Sequence, residues 1–187
     1  LKARVWRKLS KDYFKNGLPP FSEMETIIKD CWQHPKREMQ YAGIELLACF
    51  KKEWQRGTIT MIEFILTHKS WWDTVDHAAT ELTGPYFKKF PPLLEKITRK
   101  WNRSENIWLQ RSSIMFQKKY KAESNSELLS EYILHCAGSK EFFVKKAIGW
   151  ALREFSKYDQ KWVKEFVQKN SLSPLSEREA LKLINQN

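Results

Sequence analysis

The chain has 187 residues, of which 42% are hydrophobic and 29% charged; this is the balance of a folded globular protein and excludes a disordered one. Its 33 Lys and Arg outnumber 22 Asp and Glu for a net charge of +11, which points to a polyanionic partner, because each neutralised phosphate releases condensed counterions. No apolar run approaches the roughly 20 residues of a membrane span, so no membrane association is expected.

Cys31, Cys49 and Cys136 lie far apart without a C-x-x-C spacing, and His34, His68, His77 and His135 are equally scattered. Neither a disulfide framework nor a metal site is expected, no cofactor is called for, and the reading is intracellular: cytoplasm or nucleoid in a bacterium. The length suits a single domain over 1–187 and a monomer. The sequence opens at Leu1 without an initiator Met, so the native N-terminus is expected upstream.

In chain order, apolar periodicity predicts helices over about 3–15, 22–33, 36–54, 58–68, 71–83, 91–101, 105–121, 126–137, 140–157, 160–169 and 177–186, and no strand pattern competes. Ser22 stands as N-cap of the second helix, with Glu25 at capping-box spacing, and Gly57 closes the long third one. Ser70 and Asp73 form the same box at the head of 71–83, which Gly84 ends. Pro91 suits the first turn of its helix, Ser104 and Ser139 are placed as N-caps, and Gly138 follows a helix end. Ser176 with Glu179 opens the last helix as a third capping box.

Helix starts near 36, 71, 105, 140 and 177 recur every 34 to 37 residues, each preceded by a shorter helix. That is the period of a solenoid of helical pairs, each of which buries its apolar face against its neighbours. The predicted fold is therefore all-α: tandem HEAT-like repeats in a curved solenoid with a basic concave face. A step of 35 from Tyr41 gives Asp76, Arg111 and Lys146, and the same step from Arg37 gives Trp72. Second helices of such repeats line the concave side, so these residues are expected in one groove, joined by Trp150 one turn after Lys146.

Trp72 and Asp76, four residues apart, put an indole beside a carboxylate on one helix face. Trp71 must then point elsewhere and is expected in the core. Around them the sequence is rich in cations, among them Lys69, Lys88, Lys118, Lys145, Lys146 and Arg153, of the kind that track a nucleic-acid backbone without reading bases.

Four segments carry a resemblance: Ser70 to Asp76 (SWWDTVD), Trp108 to Arg111 (WLQR), Lys146 to Glu154 (KAIGWALRE) and Leu172 to Ala180 (LSPLSEREA). Together, and in this order, they resemble the AlkD-type DNA alkylation-repair glycosylases over essentially the whole chain. The resemblance implies an enzyme of HEAT-like repeats that hydrolyses the N-glycosidic bond of N3- and N7-alkylated purines in duplex DNA, with the lesion left stacked. It places the catalytic aspartate at Asp76, the functional tryptophans at Trp72 and Trp150, and a DNA-contacting arginine at Arg111; Lys146 and Arg153 are added here as DNA-binding cations. The family's N-terminal region, with an aromatic DNA contact, is expected to be incomplete in this chain. No Lys is singled out as a Schiff-base nucleophile, so monofunctional hydrolysis is expected. The rival reading is a noncatalytic DNA-binding repeat protein.

Overall fold

The computed structural model describes residues 9, 10, 12–14 and 17–186. Of the helix expected over 3–15, residues 9, 10 and 12–14 are helical, and the remainder lies outside the described residues. Among the described residues there are eleven α-helices and no strand. The chain divides into two compact units, residues 1–90 and 91–187.

In the first unit, α1 (Met24–Gln33), α2 (Glu38–Cys49), α3 (Thr58–Thr67) and α4 (Trp72–Ala78) are ordinary α-helices; α4 runs on through a π turn (Ala79–Thr83) into α5 (Gly84–Lys89). Met24, Ile28, Ile44, Leu47, Ile62, Leu66, Val75 and Leu82 form its core, each at most 1% exposed. Large amphipathic side chains close it from the edges: the Trp32 indole donates to the His68 carbonyl at 2.7 Å, Trp54 to Leu47 at 3.0 Å, and the Tyr86 hydroxyl to Arg56 at 2.7 Å. Each brings its one polar atom to a backbone acceptor, so the ring can be buried without an unpaired donor.

The second unit contains α6 (Leu94–Asn102), α7 (Ile107–Met115), α8 (Ser126–Cys136), α9 (Phe142–Phe155), α10 (Gln160–Lys169) and α11 (Pro174–Leu181). Trp101, Met115, Phe116, Ile133, Val144, Ile148 and Leu152 are its core. A small polar network crosses it, in which Asn102 donates to Ser113 Oγ at 3.0 Å and Thr98 and Tyr132 share a hydrogen bond of 2.5 Å.

The period survives in the structure. Helices α2, α4, α7 and α9 begin at 38, 72, 107 and 142, in steps of 34, 35 and 35. Hydrogen bonds within each unit join residues one repeat apart: Arg37 to Asp73 across 36 positions, Thr98 to Tyr132 across 34, and Lys146 to Glu179 across 33. The chain is all-α, and within each unit helical pairs one repeat apart pack on each other.

Several expected boundaries move, each for a local reason. Gly84 does not end its helix: its N–H reaches back five residues to Ala79 O. The widened turn brings Pro85, which has no N–H to give and would clash in a regular α-turn, into the helix, which then continues to Lys89. Ser104 and Ser139 are not caps; their hydroxyls accept from the N–H two residues on, at 3.0 and 3.2 Å. At the first site the cap is Asn106, whose side chain accepts from Trp108 and Leu109. Ser22 lies in a short 3-10 turn, and Ser70 donates back to Leu66 O. Gly57 precedes α3 as its N-cap rather than following α2, which stops at Cys49. The last helix starts early, because Ser173 caps it and Pro174 supplies the pre-set φ of a first turn. Ser176 is then buried inside α11, where its hydroxyl donates to Lys145 O at 2.9 Å.

Candidate nucleic-acid interface

In the first unit, α2 and α4 are joined by a polar ladder. Arg37, Tyr41 and Glu45 stand four residues apart along α2 and its N-cap, so they share one face. Asp73 and His77 stand four apart on α4 and meet them. The Asp73 carboxylate accepts from the Arg37 guanidinium, from the Tyr41 hydroxyl and from Thr74 N–H at 2.7 Å. His77 Nε2 and Glu45 Oε1 are 2.9 Å apart, both side chains buried, and the Tyr41 and His77 rings pack edge-on at 6.4 Å. Burial pushes the Asp73 carboxyl up, but the hydrogen bonds from Arg37, Tyr41 and Thr74 N–H outweigh it and hold it below the usual carboxylate range.

Asp73 was expected in a capping box with Ser70; the ladder takes it instead. This separates the two aspartates of the helix. Asp73 joins the two helices; Asp76, three residues on and about 60° round the helix, is half-buried and one turn from Trp72 on the same edge. Trp72 is 41% exposed. Trp71 does not enter the core: as the extended N-cap residue of α4 it is 46% exposed. Its backbone lies outside the helical turn, so the argument that adjacent helical residues point apart does not apply to it. Lys69, just upstream, has a φ of 45°, and its ammonium reaches the Gln33 and His34 carbonyls at 3.3 and 3.4 Å.

In the second unit the centre is Trp150, on α9. Arg111, Lys146, Arg153 and Lys118 place their charges 5.3, 5.2, 5.8 and 5.9 Å from its ring centroid. Arg111 and Lys146, 35 residues apart, are thus brought together as the period implies. Arg111 is 1% exposed, and one of its nitrogens donates to the Phe143 carbonyl.

Among these cations sits a carboxylate that the sequence reading had used up as a cap. Glu179 of α11 accepts from Lys146 at 2.7 Å through one oxygen; through the other it accepts from Arg153 at 2.8 Å and the Trp150 indole at 3.1 Å. The hydrogen bond from Lys146 is the main reason its carboxyl lies below the ordinary range, against a smaller opposing effect of burial. Gly149 makes the arrangement possible. A Cβ there would fall 2.5 Å from Glu179 Cβ and 2.8 Å from Ser176 O, so α9 and α11 touch at this point. The interval of 33 residues between Lys146 and Glu179 was a signal of one-repeat stacking, readable only once Glu179 was released from its expected cap.

Among the described residues no three His, Cys, Asp or Glu side chains are grouped to hold a metal, and no helix is long and apolar enough to cross a membrane.

A family model described as DNA alkylation repair enzyme matches residues 1–184. The chain belongs to this family. Among solved structures it is similar to an Enterococcus faecalis protein described as a predicted DNA alkylation repair enzyme, with a TM-score of 0.89 and 29% identity over 100% of this chain and 88% of that one. It shares its fold with AlkD2 from Streptococcus mutans, at a TM-score of 0.71 and 15% identity over 100% of this chain and 90% of that one. No curated protein matches it. Membership of a DNA alkylation repair family points to DNA as the partner, in keeping with the net charge of +11.

Proposed function

We propose that this member of the DNA alkylation repair family is a monofunctional glycosylase that hydrolyses the N-glycosidic bond of cationic N3- and N7-alkylated purines in duplex DNA. The observation that carries the reading is the placing of a half-buried carboxylate, Asp76, one turn from the 41% exposed Trp72 indole on α4 of a DNA alkylation repair family member.

The chemistry such an edge can support is limited and well defined. An alkylated purine bears a positive charge, so it departs as a neutral base when the C1′–N bond breaks and the bonding pair moves to nitrogen. No acid is needed to protonate it. Positive charge develops on the deoxyribose instead, and water must add to C1′ and lose a proton. A carboxylate stabilises the cationic sugar and accepts or directs that proton. We assign this work to Asp76. Trp72 and Trp150 are assigned to packing on the sugar–phosphate strand, where an indole face adds cation–π attraction of roughly 0.5–2 kcal/mol. Lys146 and Arg153 are assigned to phosphates. Arg111, being buried, contributes its charge to the same field from beneath the Trp150 ring. Contacts of this kind read the backbone, which agrees with a lesion that stays stacked rather than flipped into a pocket.

The test is incubation with duplex DNA carrying N7-methylguanine, under single-turnover conditions, with the free base measured. Release of the methylated base by the wild-type chain, and its loss in Asp76→Asn, is the expected result. Tight binding of the duplex without any release would refute catalysis and leave a noncatalytic DNA-binding protein.

A further inference from the structure

Glu179 is an anion fixed where the DNA-binding reading puts a phosphate. Its two oxygens take up the ammonium of Lys146, the guanidinium of Arg153 and the indole N–H of Trp150. Two charged donors and one neutral donor around a pair of oxygens is also how a phosphate is held at a protein surface. Swinging the carboxylate aside would break all three of those bonds, and its Cβ and backbone are fixed by the contact at Gly149 and the bond from Ser176 to Lys145 O. The cations are not sealed off, since the Lys146 and Arg153 side chains keep 20% and 27% of their surface and Glu179 only 12%.

We infer that Glu179 is an internal stand-in for a DNA phosphate, which occupies Lys146 and Arg153 in the free protein and thereby holds down affinity for undamaged duplex. The inference rests on the reading of this face as a DNA interface. A phosphate that approaches Lys146 or Arg153 must share donors with a carboxylate and work against its negative charge. The penalty is the same for every sequence, so it falls on non-specific binding. Four cations around one indole would otherwise attract any stretch of duplex, and a repair protein that binds undamaged DNA too well searches slowly. The retained charge of Glu179 at neutral pH follows from the same contacts, which hold its carboxyl below its ordinary range.

The experiment is the affinity of Glu179→Gln for a short, fluorescently labelled, undamaged duplex, measured by anisotropy over a range of salt. Gln keeps the shape and an acceptor for the indole but removes the charge. Binding is expected to tighten about tenfold at low salt, and the slope of log affinity against log salt to become more negative by about 0.9 to 1.8, as one or two phosphates are newly engaged. A structural role alone predicts the opposite sign, since a loosened α11 would weaken binding. The double variant Glu179→Gln, Lys146→Gln should lose at least half of the gain. Affinity within twofold of wild type, or weaker, with an unchanged slope would overturn the inference. Should Glu179→Gln fail to melt cooperatively, Glu179→Asp replaces it. A carboxylate one methylene shorter cannot span both cations, so binding should tighten about threefold with a slope change of about one phosphate; equal binding again refutes. Wild-type protein that shows no salt-dependent duplex binding would sink the DNA reading itself, whereas wild type that binds and a variant that binds no tighter sinks only the role of Glu179.

Discussion

Replacing Gly149 by Ala sets two effects of opposite sign against each other, and the structure decides between them. Helix propensity alone favours Ala over Gly in a helix interior by about 1 kcal/mol. At this position the added methyl would lie 2.5 Å from Glu179 Cβ, 2.8 Å from Ser176 O and 3.3 Å from Ser176 Cα. Carbon atoms rest at about 3.5–4.0 Å, and two of the three obstructing atoms are backbone, so no rotamer change relieves the clash. Helix α11 must retreat by about 1 Å, which is enough to break the Lys146–Glu179 and Arg153–Glu179 contacts at 2.7 and 2.8 Å. Overpacking of this kind costs about 1–3 kcal/mol and each lost charge-assisted bond roughly 1 kcal/mol or more. After the propensity gain the net loss is about 2–4 kcal/mol, a fall in Tm of about 4–16 °C for a chain of this size. Thermal unfolding followed by far-UV circular dichroism measures it. Gly57→Ala is the control: its backbone is already helical and nothing lies within 4 Å of the new methyl, so it should gain about 0.4–1 kcal/mol. A Gly149→Ala protein that melts at or above wild type would refute the close approach of α9 and α11.

Asp76→Asn should slow single-turnover release of N7-methylguanine about 10²–10³-fold, the usual cost of removing one electrostatic stabiliser, with DNA binding kept; rates within about twofold would remove Asp76 from the mechanism. Arg111→Ala removes a buried charge beneath Trp150 rather than a phosphate contact, and a field of that kind is blind to sequence, so binding to damaged and undamaged duplex should weaken alike; sequence-dependent losses in a binding titration would contradict that. Glu45→Ala leaves the buried His77 ring without its carboxylate partner and should lower the urea midpoint by the equivalent of about 1–3 kcal/mol; an unchanged midpoint would mean the ladder contributes nothing. Glu179 is held below its ordinary pKa in the folded state, so the stability it adds is full above the unfolded value of about 4.5 and is lost as pH falls through the lower folded value. Urea midpoints between pH 7 and 3 should therefore fall less for Glu179→Gln than for wild type, and parallel curves would contradict the shift.

Sequence periodicity was enough to read the all-α architecture and the 35-residue step, because burial of one helix stripe per repeat imposes itself on every turn. Arg111 and Lys146 do approach the Trp150 ring together, as that step requires. What the chain did not disclose is which partner a polar side chain takes. Asp73 and Glu179 both sat at capping-box spacing, and spacing cannot distinguish a carboxylate that turns back on its own helix from one that reaches the next. Tertiary contacts won at both sites, because Arg37 and Tyr41 in one case and Lys146 and Arg153 in the other offer a carboxylate charged or multiple donors, worth more than one backbone N–H. Trp71 escaped for a different reason: its place in the core assumed a helical backbone, and its φ of −148° is extended. The serine caps failed by two residues at Ser104 and Ser139, since a serine that makes a turn before the cap looks the same in sequence as the cap itself.

The π turn at Ala79–Thr83 has a consequence for the phase of the helix it interrupts. The more accessible positions along this segment are Trp72, Asp73, Asp76, Glu81, Pro85, Lys88 and Lys89; one line through them, Trp72, Asp76, Glu81, Pro85 and Lys89, runs in steps of four, five, four and four residues. In an uninterrupted α-helix a line of four-residue steps advances about 40° each time, and a five-residue step would throw it a further 100° round. The wide turn absorbs that extra residue, so the line stays continuous and the deeply buried Val75, Ala78, Leu82, Tyr86 and Phe87 stay beneath it. In effect one residue is stored as slack. The polar half of the segment, which is set by the ladder from α2, and the aromatic half, which is set by the core, can each be in register without dragging the other out of it.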